Sequence, residues 1–244
     1  MSTMPHASYT SAVSDVALLG DTIGDNLERT VTRFGDREAV VDVPSQRRWT
    51  YLELDAQVDE LARALMDLGV GKGDRVGIWA PNCPEWILVQ YATAKIGAIL
   101  VTVNPAYRSH ELTYVINQSG MRLLVSAVKH AKSSYREIVE VVRGECPQLL
   151  DVVYIGDDSW AALLQRSVHV EPARLRERMA SLSCDDAINI QYTSGTTGFP
   201  KGATLSHHNI LNNGFFVGGL IGYDEHDRVC LPVPFYHCFG MVMG

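Results

Sequence analysis

The sequence predicts an α/β fold in which a parallel sheet is flanked by helices. Two observations carry this prediction: short apolar runs alternate with segments of helical periodicity, and the connections between them are short. The chain has 244 residues, of which 46% are hydrophobic and 20% charged. This composition is ordinary for a folded globular protein. We expect residues 1–20 to form a flexible N-terminus and the folded part to begin at residue 21.

The first predicted elements are two amphipathic helices with a strand over residues 39–43 between them. Gly35 ends the first helix, and the second begins at the capping box formed by Thr50 and Glu53. Apolar residues recur every three or four positions in both helices: Ile23, Leu27, Val31 and Phe34, then Leu54, Val58, Leu61, Leu65 and Leu68. Each helix therefore has one face to bury.

Strands and helices alternate through the middle of the chain. The predicted strands cover residues 75–79, 99–103, 123–126, 152–155, 187–191 and 203–205. The predicted helices cover residues 84–96, 109–120, 135–142 and 206–218. Residues 160–183 are more charged and less periodic, so we expect a surface excursion or a joint between subdomains there.

The loop from Tyr192 to Gly202 carries the strongest functional signal. It reads Tyr-Thr-Ser-Gly-Thr-Thr-Gly-Phe-Pro-Lys-Gly. Its glycines let backbone N–H groups approach an anion, its hydroxyls add hydrogen-bond donors, and Lys201 adds a positive charge. It is not a Walker loop, because two residues separate Gly198 from the lysine and no hydroxyl follows it. A polar surface hairpin is the structural alternative, but the composition favours binding of a nucleotide phosphate.

At this loop the sequence resembles the adenylate-forming superfamily, which includes acyl-CoA synthetases, luciferases and the adenylation domains of peptide synthetases. Three further segments match at the spacing of the family: Trp49–Leu54, Lys95–Pro105 and Pro234–Gly240. The Asn104-Pro105-Ala106-Tyr107 segment is most similar to medium- to long-chain fatty acyl-CoA synthetases. The resemblance implies that residues 21–244 are the first part of the large N-terminal domain of the acyl-CoA synthetase/luciferase-like fold, incomplete at the C-terminal end.

The resemblance also implies the reaction and the residues that serve it. A fatty acid attacks the α-phosphate of ATP, and coenzyme A then accepts the acyl group from the acyl-adenylate. Mg²⁺ is implied to arrive with the nucleotide, without a metal site of protein side chains. The implied catalytic residues are Lys201 and Thr196, and Tyr236 and His237 are implied to bind the acid. The residues implied to bind the nucleotide are Thr193, Ser194, Gly195, Thr196, Thr197, Gly198, Phe199, Pro200 and Lys201.

Alternatives to this function stay open at the sequence level. The family's segments for adenine and ribose and its small C-terminal domain do not follow the His237 motif, so we expect a truncated portion of a ligase. One alternative is a non-catalytic remnant that binds nucleotide phosphate or acts as an interaction module. The other is a fatty acyl-AMP ligase. The acyl-chain length and the oligomeric state are likewise open.

Charge and cysteine content bound the partners and the location. The net charge of −7 and the absence of a Lys/Arg run argue against binding of nucleic acid. The five cysteines include no C-x-x-C pair, which favours reduced thiols and a cytoplasmic location. No apolar run approaches the ~20 residues of a membrane-spanning helix, although the sequence is compatible with a peripheral membrane contact.

Overall fold

A computed structural model of the chain describes residues 15–193 and 200–243. Most of the expected flexible N-terminus and residues 194–199 of the functional loop therefore lie outside the described residues. Leu19 is held by the side chain of Asn212: its N–H donates to Oδ1 at 2.7 Å, and its carbonyl accepts from Nδ2 at 3.0 Å. The domain boundary at residue 21 stays a prediction.

Within the described ranges the chain forms nine α-helices and ten strands. The helices are α1 (Ile23–Phe34), α2 (Tyr51–Asp67), α3 (Pro84–Ile96), α4 (Ser109–Ser119), α5 (Tyr135–Val142), α6 (Asp158–Gln165), α7 (Pro172–Ala180), α8 (His207–Ile221) and α9 (Cys238–Met241). The strands are β1 (Glu38–Asp42), β2 (Arg47–Thr50), β3 (Arg75–Trp79), β4 (Ile99–Thr102), β5 (Leu123–Ser126), β6 (Lys129–His130), β7 (Ser133–Ser134), β8 (Asp151–Tyr154), β9 (Ala187–Thr193) and β10 (Lys201–Ser206). The predicted capping box at Thr50 is confirmed, and Thr22 and Ser206 cap α1 and α8 in the same way.

The described residues form a six-stranded central sheet in the order β10-β9-β4-β3-β5-β8. The pairs from β9 to β8 are parallel, and β10 alone runs antiparallel, beside β9. Two short ribbons, β1 with β2 and β6 with β7, are separate from this sheet. The predicted α/β fold with a mainly parallel sheet is confirmed, and the strands predicted on either side of the functional loop form a hairpin at one edge of it.

Helices cover both faces of the sheet, because successive strand residues point to opposite faces. In β5, Leu123 and Val125 belong to the core cluster that includes α2 and α3, whereas Leu124 belongs to the cluster that includes α4 and α5. Val58 of α2 and Leu112 of α4 are fully buried, one in each cluster. The central strands β4 and β5 therefore carry apolar residues toward both faces.

The expectation of a surface excursion over residues 160–183 is wrong, because α6 and α7 pack into the core there. Asp157 caps α6, and Pro172 occupies the first turn of α7. Leu175 and Met179, one turn apart in α7, are 2% and 6% exposed. Arg174, Arg176 and Glu177 of the same helix are charged and exposed, so the short apolar stripe was masked by the charge content of the segment.

Packing explains part of the Lys95–Pro105 match. The Lys95 side chain is completely buried, and its Nζ donates to Asp55 at 2.7 Å and to Asp59 at 2.5 Å, which joins α3 to α2. Burial acts to lower the pKa of Lys95, but the two carboxylates outweigh it and the pKa is raised. Gly97 ends α3 at φ +72°, a conformation that favours glycine. Lys95 and Gly97 therefore have structural roles: one joins α3 to α2, and the other ends α3.

Candidate functional site

The carboxyl ends of β4 and β9 border a cleft of about 610 Å³. Loops at the carboxyl ends of parallel strands meet at one edge of a sheet, where ligands commonly bind. The cleft is lined by Asn104, Tyr107, Gln191, Tyr192, Thr193, Pro200, Ala203, Leu205, Tyr236, His237 and Cys238. A second depression, of about 630 Å³, lies beside residues 31–37 and holds none of the predicted site residues. The first cleft therefore joins three segments that the sequence singled out separately.

The two ends of the functional loop lie at the mouth of this cleft. Thr193 ends β9 and pairs in register with Lys201, which begins β10. The Thr193 hydroxyl donates to the Lys201 carbonyl at 3.4 Å, and both side chains are exposed. Thr193 and Pro200 line the cleft, and Lys201 follows directly. The remaining predicted nucleotide contacts, residues 194–199 with Thr196 among them, lie outside the described residues and stay predictions.

A buried aromatic stack fixes the turn that carries Asn104 and Tyr107. The rings of Trp79 and Tyr135 are parallel, with centroids 3.7 Å apart. Trp79 Nε1 donates to the Asn104 carbonyl at 3.1 Å, and Tyr135 Oη donates to the Pro105 carbonyl at 2.6 Å. The turn is therefore fixed by two hydrogen bonds, one from the Trp79 indole N–H and one from the Tyr135 hydroxyl. Sequence reasoning used this segment only for its resemblance and assigned Asn104 and Tyr107 no role.

Tyr107 and Tyr236 meet in the cleft from different segments. Burial, with a smaller effect of Tyr236, raises the pKa of Tyr107. Its phenol is therefore neutral and able to donate a hydrogen bond at physiological pH.

Asn82 positions the segment that carries the predicted acid-binding residues. Its Nδ2 donates to the Val233 carbonyl at 2.8 Å, and its Oδ1 accepts from Phe235 N at 2.8 Å. The Phe235 ring packs edge-on against Trp86, with centroids 5.9 Å apart. Asn82 follows β3 and is separated from its partners by about 150 residues, so the sequence offered no signal for this contact.

His237 caps the short helix α9 with its own side chain. Nδ1 accepts from Phe239 N at 3.2 Å, and the Cys238 sulfur lies 3.8 Å from the same nitrogen. Because Nδ1 is an acceptor, the neutral ring carries its proton on Nε2. His237 lines the cleft, and its side chain is exposed.

His207 has a structural role at the start of α8. It is fully buried, and its Nδ1 accepts from Ile23 N at 3.1 Å, which ties α8 to α1. Burial lowers its pKa to about 4, so the ring is neutral. In the part of the chain that the structure describes, no group of three or more His, Cys, Asp or Glu side chains is arranged to hold a metal. None of the described helices is long and apolar enough to cross a membrane.

One known protein family matches most of the chain. The profile of the AMP-binding enzyme family matches residues 27–244, from within α1 to the last residue. This chain belongs to the AMP-binding enzyme family. The sequence resemblance to adenylate-forming enzymes is thereby confirmed, and the cleft is a cleft of an AMP-binding enzyme.

Relatives of this AMP-binding enzyme include acyl-CoA ligases. YngI of Bacillus subtilis (strain 168) is 42% identical over 246 residues, which cover 93% of this chain and 45% of that protein. The mitochondrial medium-chain acyl-CoA ligase ACSF2 of Danio rerio is 40% identical over 260 residues, or 97% of this chain and 42% of that protein. The chain therefore spans less than half the length of these relatives.

A solved structure supports the fold. The inhibitor-bound N-terminal domain of FACL13 from Mycobacterium tuberculosis superposes with a TM-score of 0.78 at 28% identity, covering 91% of this chain and 54% of that one. The predicted relation to the N-terminal domain of acyl-CoA synthetases is confirmed.

Proposed function

We propose that this chain supplies the phosphate-binding and carboxylate-binding sides of a site that activates a fatty acid with ATP and transfers it to coenzyme A. One observation carries the proposal: a single cleft joins both ends of the Tyr192–Gly202 loop to Tyr236 and His237. Membership of the AMP-binding enzyme family supports the nucleotide, and the relatives named as acyl-CoA ligases support the acid and the thiol.

The first step needs positioning more than proton transfer. A fatty-acid carboxylate is ionised at neutral pH, so its oxygen attacks the α-phosphorus of ATP without a general base. The bond from that phosphorus to the pyrophosphate oxygen breaks, and negative charge builds on the departing group. Lys201 and the donors of residues 193–198 stabilise that charge. In the second step the thiol of coenzyme A loses its proton to solvent, its sulfur attacks the acyl carbonyl carbon, the bond from that carbon to the AMP oxygen breaks, and AMP leaves.

The opposite side of the cleft binds the acid. The Nε2–H of His237 donates to one carboxylate oxygen, an orientation set by the acceptor role of Nδ1 toward Phe239 N. The rings of Tyr107 and Tyr236 offer apolar surface to the first carbons of the acyl chain, and Ala203 and Leu205 add apolar surface from β10, the strand that leaves the loop. By analogy with the ligases named above, we propose a medium-chain acid.

Metal and location complete the proposal. Mg²⁺ enters with the nucleotide, because the described side chains do not form a site that would hold it. The reduced-thiol pattern of the five cysteines favours action in the cytoplasm.

Binding without turnover is the second candidate for the chain as it stands. The observation in its favour is that the chain spans 42–45% of the curated relatives it matches. In this case the 244 residues bind ATP and the acid in the cleft but release no acyl-adenylate. A fatty acyl-AMP ligase differs from both, since it forms the adenylate and does not use coenzyme A.

Replacement of Lys201 tests the phosphate side of the proposal. ATP affinity and formation of octanoyl-adenylate are measured for the wild type, for Lys201→Ala and for Lys129→Ala, which removes an exposed lysine of β6 far along the sequence from the loop. We expect Lys201→Ala to weaken ATP binding about tenfold and to slow any adenylate formation about 100-fold, the scale of losing a donor to developing charge. Lys129→Ala should match the wild type.

The outcomes separate the candidates. ATP binding without octanoyl-adenylate would favour the binding role, and adenylate without acyl-CoA would favour the acyl-AMP ligase. Equal ATP affinity and equal adenylate formation in Lys201→Ala and the wild type would refute the assigned role of Lys201.

A further inference from the structure

We infer that Tyr114 and Gln118 of α4 are positioning residues that brace both ends of the Tyr192–Gly202 loop from one face of the helix. Tyr114 Oη donates to the Pro200 carbonyl at 3.1 Å, on the β10 side of the loop. Tyr192 Oη donates to the side-chain oxygen of Gln118, on the β9 side. The inference rests on the proposed function, because the loop is the proposed phosphate-binding element.

The spacing of the two helical residues makes the brace possible. Tyr114 and Gln118 are four residues apart, so they lie one above the other on the same face of α4. The two loop ends that they contact lie side by side, since Thr193 and Lys201 pair in register. One helix face therefore fixes two points of the hairpin, and two points restrain its rotation as well as its distance from α4.

Gly202 gives Tyr192 the room to reach α4. These two residues pair across the hairpin. A Cβ atom added at Gly202 would lie 2.9 Å from Ile190 Cγ2 and 3.4 Å from Cζ of Tyr192. The Tyr192 ring thus lies over the bare backbone of β10. The first and last residues of the loop serve its placement, whereas the residues between them serve the ligand.

The surroundings keep the Tyr192 hydroxyl a donor. Burial, with a smaller effect of the neighbouring Tyr114, raises the pKa of Tyr192 to about 12. Both tyrosines pack against the core cluster that includes α4 and α5. Both tyrosines are half-buried, whereas Gln118 is exposed, so the tyrosine rings provide the fixed part of the brace.

The consequence for the reaction is preorganisation. Backbone and hydroxyl donors stabilise a charged group only if they are already aimed at it, and supporting hydrogen bonds provide that aim. The N-terminus of α4 directly follows the Asn104–Tyr107 turn of the cleft. A single helix therefore sets the phosphate-binding loop relative to the acid side of the same cleft.

Hydrogen exchange of the strand-end amides tests the brace in the 244-residue chain. NMR exchange rates at Thr193 and Lys201 and the affinity for inorganic pyrophosphate are measured for Gln118→Leu, Tyr114→Phe and Tyr192→Phe. We expect about fivefold faster exchange and about fivefold weaker pyrophosphate binding in each, the effect of one lost hydrogen bond. The midpoint of thermal unfolding should fall by no more than the ~2–4 °C that one lost hydrogen bond allows, whereas a general loss of structure would lower it further.

Two variants control for chemistry and for position. Gln118→Glu keeps an acceptor for the Tyr192 hydroxyl and should leave the exchange rates at Thr193 and Lys201 at their wild-type values; only its exchange is compared, because its negative charge acts on pyrophosphate directly. Gln148→Leu removes a bond to α4 at Asn117 Oδ1, 2.9 Å long, that does not involve the loop, and it should leave the exchange at Thr193 and Lys201 unchanged. The double variant Tyr192→Phe/Gln118→Leu should be no worse than either single variant, because both remove the same bond.

Failure of the brace and failure of the proposed function give different results. Wild-type exchange at both amides in Gln118→Leu and Tyr114→Phe would overturn the brace, and so would an equal effect of Gln148→Leu. If Gln118→Leu does not fold, Tyr192→Phe tests the same bond from the other side. Faster exchange in a chain whose wild type binds no pyrophosphate would keep the brace and reject the phosphate role of the loop.

Discussion

One side of the cleft continues two strands of the central sheet, whereas the other is a short segment outside it. We call the first the phosphate wall (Thr193 and Pro200–Gly202) and the second the acyl wall (Pro234–Met241). The phosphate wall is held by the β9–β10 ladder and by α4. The acyl wall is held mainly by side chains, of which Asn82 provides two hydrogen bonds. The proposed phosphate contacts at Thr193 and Lys201 thus border the central sheet, whereas the proposed acid contacts lie on a segment positioned by a few side-chain hydrogen bonds.

The largest effect that would separate the two walls is expected from Gly240→Ala. A Cβ atom at Gly240 would lie 2.5 Å from the Pro234 carbonyl oxygen, which is backbone and cannot rotate away. We expect a loss of about 3 kcal/mol in the free energy of unfolding, at the upper end for overpacking, and loss of octanoate binding. Urea unfolding and an octanoate titration measure both.

Gly219→Ala is the matched control for that change. Gly219 lies in α8, and nothing lies within 4 Å of an added Cβ atom. Alanine should be neutral there or stabilise the helix by up to about 1 kcal/mol. Equal unfolding curves for Gly240→Ala and the wild type would show that the acyl wall is not packed as described.

The next effect is expected from Asn82→Ala, which removes both hydrogen bonds from the acyl wall. We expect a loss of about 2 kcal/mol in unfolding free energy and about tenfold weaker octanoate binding, with unchanged pyrophosphate binding. Asn82→Asp keeps the acceptor for Phe235 N, so its losses in unfolding free energy and octanoate affinity should be smaller than those of Asn82→Ala. A parallel loss of pyrophosphate affinity would contradict the independence of the walls.

The smallest effect concerns pH and His207, at the far end of β10 from the loop. Its pKa is lowered from 6.5 to about 4, mainly by burial and against the opposing charges of Asp186 and Asp25. As the pH falls below 6.5, His207 becomes protonated in the unfolded chain but stays neutral in the folded chain. The free energy of unfolding therefore falls until about pH 4, where the folded chain also becomes protonated. We expect this residue to contribute a loss of about 1–2 kcal/mol, after allowance for water and neighbouring charges.

His207→Asn tests that contribution. The amide oxygen of the new side chain can accept from Ile23 N, and the amide does not titrate in this pH range. Urea unfolding at pH 6.5 and 4.5 should show a smaller loss of stability in the variant than in the wild type. An identical loss in both proteins would assign the acid sensitivity to other groups.

Local sequence patterns predicted most of the fold because the forces involved are local. Capping boxes, helical stripes and apolar strand runs act within a few residues, and these elements were located to within one or two residues, except that α8 ends three residues beyond its predicted end. The helix α7 was missed because Leu175 and Met179 are the buried residues of a charged stretch. Their burial depends on the packing of α7 against α3, which neighbouring residues do not encode.

The candidate site was predicted only in part, because some of its contacts join segments that are distant in the sequence. Resemblance pointed to Thr193, Tyr236 and His237, and the fold brings all three to one cleft. The supporting contacts of Asn82, Tyr114 and Gln118 were not foreseen, since their partners are 74 to 153 residues away. Three of the bonds are to main-chain groups, which leave no trace in the residue types of the partner segment.

We propose that the phosphate wall binds the nucleotide phosphates and that the acyl wall binds the acid. NMR mapping of the two binding sites tests this most directly. The ¹⁵N-labelled chain is titrated separately with inorganic pyrophosphate and with octanoate. With pyrophosphate, we expect amide shifts at Thr193, Lys201 and Gly202. With octanoate, we expect them at Tyr236, His237 and Phe239. Shifts from both ligands at the same wall, or from either one only outside the cleft, would contradict it.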